Sequence, residues 1–204
     1  MKKEYLLGIL FFSGLWGASE AGLGGYLYRA QIPYASVSLT VIAFIILTIA
    51  KMYLPQRHSA TVIAAITMLY KFLNAPFYGC HLLAIFLLGV SYDLVFGFMK
   101  TKNKVLLALI STYVGYALFA FTITYIVRYS YWIQEGLPKI LRYIGTSGTL
   151  AALINCAVVP ASFKVGQILK QQTINPFEFQ SKIATSSISV ATLGLWFLGL
   201  TKCF

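Results

Sequence analysis

Long apolar runs separated by short polar interruptions dominate this chain. Runs able to cross about 30 Å of hydrocarbon are predicted over residues 5–28, 37–54, 59–79, 82–99, 105–127, 145–163 and 183–200. Within them apolar residues are nearly continuous and show no period-two alternation, which excludes a β-barrel. The expected architecture is an all-α integral membrane protein. It is a single domain spanning 1–204, a bundle of six to seven transmembrane helices with a first helix rich in small residues.

Two connections are longer than the rest, 128–144 and 164–182. The first contains Tyr131, Trp132, Glu135, Pro138, Lys139 and Arg142, a mixture of aromatics and both charge signs. It is expected to lie at the membrane surface as an amphipathic segment with an aromatic belt. The alternative is a lid in which Tyr131 and Trp132 stack on a ligand.

The first run thickens into small residues. In a helix, Gly14, Ala18 and Gly22 share one face, and Ser13, Gly17, Ala21 and Gly25 share an adjacent one. Glycine in a helix interior costs up to about 1 kcal/mol against alanine. The pattern makes sense as a packing seam in lipid, where close backbone approach drives helix association. One carboxylate, Glu20, sits among these residues.

Composition sharpens this picture. The chain is 59% hydrophobic and only 10% charged, against roughly 25% charged in soluble domains. Such a composition cannot cover a water-facing surface. The net charge of +11 comes from basic residues at span ends, so it reads as topology information and attraction to anionic lipid, not as a nucleic-acid site. Placing the N-terminus in the cytoplasm puts the larger share of basic residues there, including Lys100, Lys102 and Lys104. Lys2, Lys3, the run over 5–16 and Ser19-Glu20-Ala21 also have the form of a signal peptide; the apolar run continues to Tyr28, which favours a retained helix. The three cysteines and two histidines form neither C-x-x-C nor a ligand set, so no disulfide framework, metal or cofactor is expected.

Polar groups inside the spans are the candidate chemistry. At about 1.5 Å per residue, Glu20 and Lys71 both lie roughly 20 Å above the inner boundary. Asn74 stands one turn above Lys71, Asn155 near the middle of the sixth run, and Asp93 lower, near the inner face. A lone charge at mid-bilayer costs about 3 kcal/mol or more, so these groups are paired or face a cavity. One reading is structural, with Glu20 and Lys71 as a closing ion pair and the asparagines as glue. The other is an outward-facing pocket lined by Glu20, Lys71, Asn74 and Asn155, with Tyr34, Phe77, Tyr78, Tyr131 and Trp132 as flat walls. Pro76 frees carbonyls just above Lys71, and irregular backbone at that depth is tolerated only where protein covers it or it lines a cavity. The segments around Pro33 and Pro76 converge on the same side, which favours the pocket.

The blocks Gly17-Ala18-x-Glu20-Ala21-x-Leu23-Gly24-Gly25, Pro33-Tyr34-Ala35-Ser36, Arg57-His58-Ser59-Ala60, Lys71 and Ala84-Ile85-x-x-x-x-Gly89-x-x-x-Asp93 resemble the substrate-capture (S) component of energy-coupling factor transporters, which import vitamins and related micronutrients. The resemblance covers residues 14–97. It implies a small helical capture protein working with a transmembrane coupling subunit and a pair of cytoplasmic ATPases. It also implies that Gly14, Gly17, Ala18, Ala21, Gly22 and Gly25 dock on the coupling subunit. The chain departs from the family in its seventh apolar run and in carrying aspartate at position 93 where a glutamate is expected. No G-x-x-x-x-G-K-[ST] occurs, so ATP would be hydrolysed by partners.

The leading expectation is therefore capture of a small, vitamin-like heteroaromatic solute in the cytoplasmic membrane. A structural or assembly subunit is the alternative. An intramembrane enzyme is disfavoured, because neither G-x-S-x-G nor H-E-x-x-H occurs and both histidines fall at span borders.

Overall fold

The computed structural model describes residues 3–74, 79–99, 103–172 and 182–201. Among them there is no strand; every element is helical. The helices are α1 (Lys3–Arg29), α2 (Ala35–Tyr53), α3 (Ser59–Asn74), α4 (Gly79–Phe98), α5 (Lys104–Phe121), α6 (Ser130–Ile133), α7 (Gly136–Tyr143), α8 (Thr149–Gln172) and α9 (Lys182–Leu200). Among the described residues, five segments are long and apolar enough to cross a membrane: Tyr5–Arg29, Ala35–Tyr53, Gly79–Phe98, Lys104–Ile126 and Gly136–Gln171. The apolar stretches Ser59–Phe72 and Ser186–Gly199 are shorter. The outer surface is studded with large apolar side chains such as Phe98, Ile126, Leu193 and Phe197, as expected where the surrounding solvent is lipid.

Helices α1, α2 and α4 occupy the apolar runs 5–28, 37–54 and 82–99, and α5 with the π-helical turn Thr122–Ile126 occupies 105–127. The sixth differs. It was expected to begin at 145, after an interfacial segment, but α7 runs through a π-helical turn (Ile144–Gly148) into α8. Pro138 does not prevent this, because it stands in the first turn of α7, where backbone N–H groups lack intrahelical acceptors anyway. Asn103 starts α5 by accepting hydrogen bonds from the backbone N–H groups of Val105 and Leu106.

The helices close a ring in which neighbours touch in the order α1, α3, α4, α5, α8, α2 and back to α1; α9 packs outside, against α1 and α3. Small residues set these crossings. A Cβ on Gly89 of α4 would collide with Ala64 and the carbonyl of Ala60 on α3, and one on Gly115 of α5 would stand 2.9 Å from Ser91 Oγ on α4. Such close approach gains dispersion contacts that leucine-on-lipid cannot supply. The core inside the ring is built from Trp16, Phe44, Leu47, Ile63 and Tyr92, with Phe44 edge-on to Tyr92.

One end of the ring is clamped by a buried ion pair that crosses it. Lys51, at the end of α2, lies 2.7 Å from Asp93 on α4, with side chains only 3% and 4% exposed. Lys51 Nζ also donates to the carbonyls of Gln56 and Arg57 and to Ser59 Oγ. The second Asp93 oxygen accepts from the backbone N–H and hydroxyl of Thr61, so Asp93 caps the start of α3 from another helix. Asp93, expected as a polar group near the inner face, is joined in the structure to Lys51.

Two outcomes follow from this packing. Gly89→Leu should disrupt the α3–α4 crossing and destabilise the protein by about 1–3 kcal/mol or more. Asp93→Ala should cost about 3–5 kcal/mol, because it strands a buried ammonium. Replacing both partners (Lys51→Met with Asp93→Leu) should cost less than that single change. Equilibrium unfolding in mixed micelles checks both; a harmless Asp93→Ala would mean that the ion pair is not the clamp.

Candidate functional site

At the opposite end of the ring lies a second buried pair. Glu20 comes from the third-last turn of α1 and Lys71 from the last turn of α3. Their helices run side by side because Gly17 offers no side chain to obstruct Tyr70, which lies against it. Ser13 Oγ donates to the carbonyl of Ile63, and Thr67 Oγ1 donates to that of Ser13. This contact brings Lys71 Nζ to 2.8 Å from Glu20 Oε2, both side chains being under a tenth exposed. Trp16 Nε1 approaches the other carboxylate oxygen at 3.4 Å. The common level expected of Glu20 and Lys71 is met.

The pair borders a cavity of about 50 Å³. Its polar lining comes from Tyr28, Ser36, Thr40, His81, Tyr116 and Tyr143, and its apolar lining includes Leu39, Ile85, Leu88 and Phe119. Tyr28 stacks on His81 with ring centroids 4.6 Å apart. Thr40 Oγ1 lies 3.3 Å from the Tyr116 hydroxyl and donates to the carbonyl of Ser36. Tyr143 packs 5.1 Å from Tyr116 and 5.8 Å from Phe119. Each of the two π-helical turns, Thr122–Ile126 and Ile144–Gly148, follows the cavity residue Phe119 or Tyr143 within three residues. Such turns re-aim side chains and recur at functional sites.

The two ion pairs differ in how their hydrogen-bonding capacity is used. Lys51 has four oxygen partners, and Asp93 three donors. Lys71 makes a single hydrogen bond among the described residues, to Glu20. An ammonium carries three N–H donors. Among the described residues, the Lys51 pair is saturated and lies outside the cavity, whereas the Lys71 pair lines it and keeps N–H donors that no described residue takes up.

The other predicted residues are dispersed. Asn155 donates through Nδ2 to Thr112 Oγ1 at 3.0 Å, between α8 and α5, and does not line the cavity. Its Oδ1 is buried without a partner among the described residues. Trp132 stands one layer behind the cavity, edge-on to Phe119 and Tyr143. Tyr34 is 54% exposed and Tyr131 61%, both outside the lining. Lys139 Nζ sits 3.0 Å over the Tyr131 ring. Phe77 and Tyr78 lie outside the described residues, as does Pro76, and of Asn74 only its place at the end of α3 is described.

The small-residue seams are occupied within the chain at several positions. Gly14 faces Leu195 and Trp196 of α9, and Trp196 Nε1 donates to the carbonyl of Leu10. Gly17 faces Tyr70, and Ala21 is buried. Ala18, Gly22 and Gly25 are half-buried. A partner seated on Gly14 or Gly17 would have to displace α9 or Tyr70.

Sequence reasoning missed Tyr28, Tyr116 and Tyr143 as site residues, and Thr40 with them. Ser36 and Thr40 stand four apart on α2, a polar stripe that continues with Thr48 and Lys51; that spacing was the available signal. No group of three metal-ligating side chains forms among the described residues.

No family model matches this chain, and neither a curated protein nor a solved structure does.

Outside the spans, Glu135 receives a 2.7 Å hydrogen bond from Lys139. That bond, helped by the charges of Lys139 and Arg142, holds the Glu135 carboxyl below its ordinary value of 4.5. A depressed carboxylate contributes its tie above the unfolded value and loses it as pH falls through the folded one. Acidification should therefore release Lys139 at a lower pH than an unpaired glutamate would require. Lys139→Met should move the Glu135 midpoint upward in a carbon NMR titration; an unmoved midpoint would contradict the pairing.

Proposed function

We propose that this chain is the membrane-embedded solute-binding subunit of an importer, similar to the capture component of energy-coupling factor systems. In this reading the N-terminus is cytoplasmic, six or seven helices cross the cytoplasmic membrane, and the cavity end faces outward. A transmembrane coupling subunit and an ATPase pair supply the energy. The chain itself has no catalytic role.

One observation carries the reading: the Glu20–Lys71 pair stands on the wall of a cavity rich in hydroxyl groups, with Lys71 donors that no described residue takes up. Pockets for drug-sized ligands measure roughly 300–1,000 Å³, and this one is about 50 Å³. The conformation described is thus a contracted one for a heteroaromatic vitamin, and its walls must part to admit that guest. Phe119 and Tyr143, beside the π-helical turns, are the residues placed to move. The 2.8 Å contact also favours a second reading, in which the pair is only a clamp and the chain is an assembly subunit.

Mass spectrometry of small molecules released from the purified protein separates the two. Lys71→Met should lose the retained solute while Tyr131→Ala keeps it. Equal retention by the wild type and Lys71→Met, or a stable partner complex with no solute, would leave the clamp standing.

A further inference from the structure

The pair that borders the cavity fixes the charge class of whatever enters. Glu20 and Lys71 neutralise each other at 2.8 Å. The remaining polar lining consists of hydroxyl groups and one imidazole. Both charged side chains are withdrawn from solvent, so neither is screened as a surface charge would be.

A solute carrying a net charge meets this arrangement badly. An anion reaching Lys71 either displaces Glu20, leaving a buried carboxylate alone, or joins an intact pair and adds an uncompensated charge. A cation reaching Glu20 raises the mirror-image problem. Removing one partner of a buried pair is strongly unfavourable because the other charge is left without compensation. A solute with no net charge avoids this. It either hydrogen-bonds with the ammonium of Lys71 and the hydroxyl groups while the pair stays closed, or, if zwitterionic, exchanges partners charge for charge.

Resting on the reading of this cavity as a solute site, we propose that Glu20 and Lys71 together act as a charge filter that admits only solutes of zero net charge. The two residues are specificity determinants as a unit. Neither is a dedicated receptor for an ionic group.

The proposal separates single from paired substitutions. Glu20→Gln leaves Lys71 unbalanced and should convert the cavity into an acetate site. Lys71→Met leaves Glu20 unbalanced and should create a methylammonium site. Glu20→Gln combined with Lys71→Met restores neutrality and should bind neither ion, as should the exchanged pair Glu20→Lys with Lys71→Glu. Binding of acetate and methylammonium to protein in lipid nanodiscs is followed by the fluorescence of Trp16, which touches Glu20, in a background with Trp132→Phe and Trp196→Phe. Each single variant should bind its ion about a hundredfold or more tighter than the wild type. If a single variant does not fold, the wild type and the two balanced doubles decide. All three should reject both ions, and acetate or methylammonium binding to any of them overturns the filter. Folded single variants that gain no affinity overturn it too. Retention of copurified solute, measured on the same samples, reports separately on the capture reading. Solute retained by the wild type alongside ion binding sinks only the filter, and absence of solute with intact ion discrimination sinks only capture.

Discussion

The constraint that organises this protein is the cost of an unpaired charge in a low-dielectric interior. Among the described residues, two lysines and two carboxylates lie inside the helix ring, and each finds its opposite on a different helix. Burial of four charges is tolerated only because the partners meet within hydrogen-bonding distance. That requirement fixes the relative height of α1 against α3 and of α2 against α4. The glycine and alanine contacts then set how closely these helices lie, and the apolar core fills what remains.

The two pairs solve the same electrostatic problem to different ends. The Lys51–Asp93 cluster uses nearly every donor and acceptor it has, including the start of α3. It ties three helix ends and leaves nothing over for a guest. The Glu20–Lys71 pair stands where α1, α2, α3 and α4 converge with Tyr116 and Tyr143, beside open space. Among the described residues, the foot of the ring is saturated, and its head holds a lysine with a single partner beside a cavity. The aromatic layer of Phe119, Trp132 and Tyr143 backs that head and adjoins both π-helical turns.

The sequence made part of this legible. The apolar runs located the helices, and counting the rise per residue put Glu20 and Lys71 at one level, because both quantities depend only on local geometry. The partnership of Lys51 with Asp93 was hidden, since a lysine ending an apolar run looks identical whether it faces cytoplasm or folds back. Tyr116 lay within an apolar run and Tyr143 in the segment expected at the membrane surface; only the tertiary arrangement brings both hydroxyl-bearing rings to the cavity. The seam through Gly14 and Gly17 was visible as a packing surface, but its occupants, Trp196 and Tyr70, lie far along the chain. Asn155 was expected beside the cavity because depth alone was read; its direction, toward Thr112, depends on which face of α8 meets α5.

Whether Lys71 is paired yet open to the cavity while Lys51 is paired and sealed can be tested without knowing any solute. Solid-state NMR of the protein in bilayers, with nitrogen-labelled lysine and carbon-labelled glutamate and aspartate, reads both properties at once. Both residues should show a lysine–carboxylate contact, and of these two ammonium groups only that of Lys71 should receive magnetisation from water. Equal transfer to both, or none to Lys71, would contradict it.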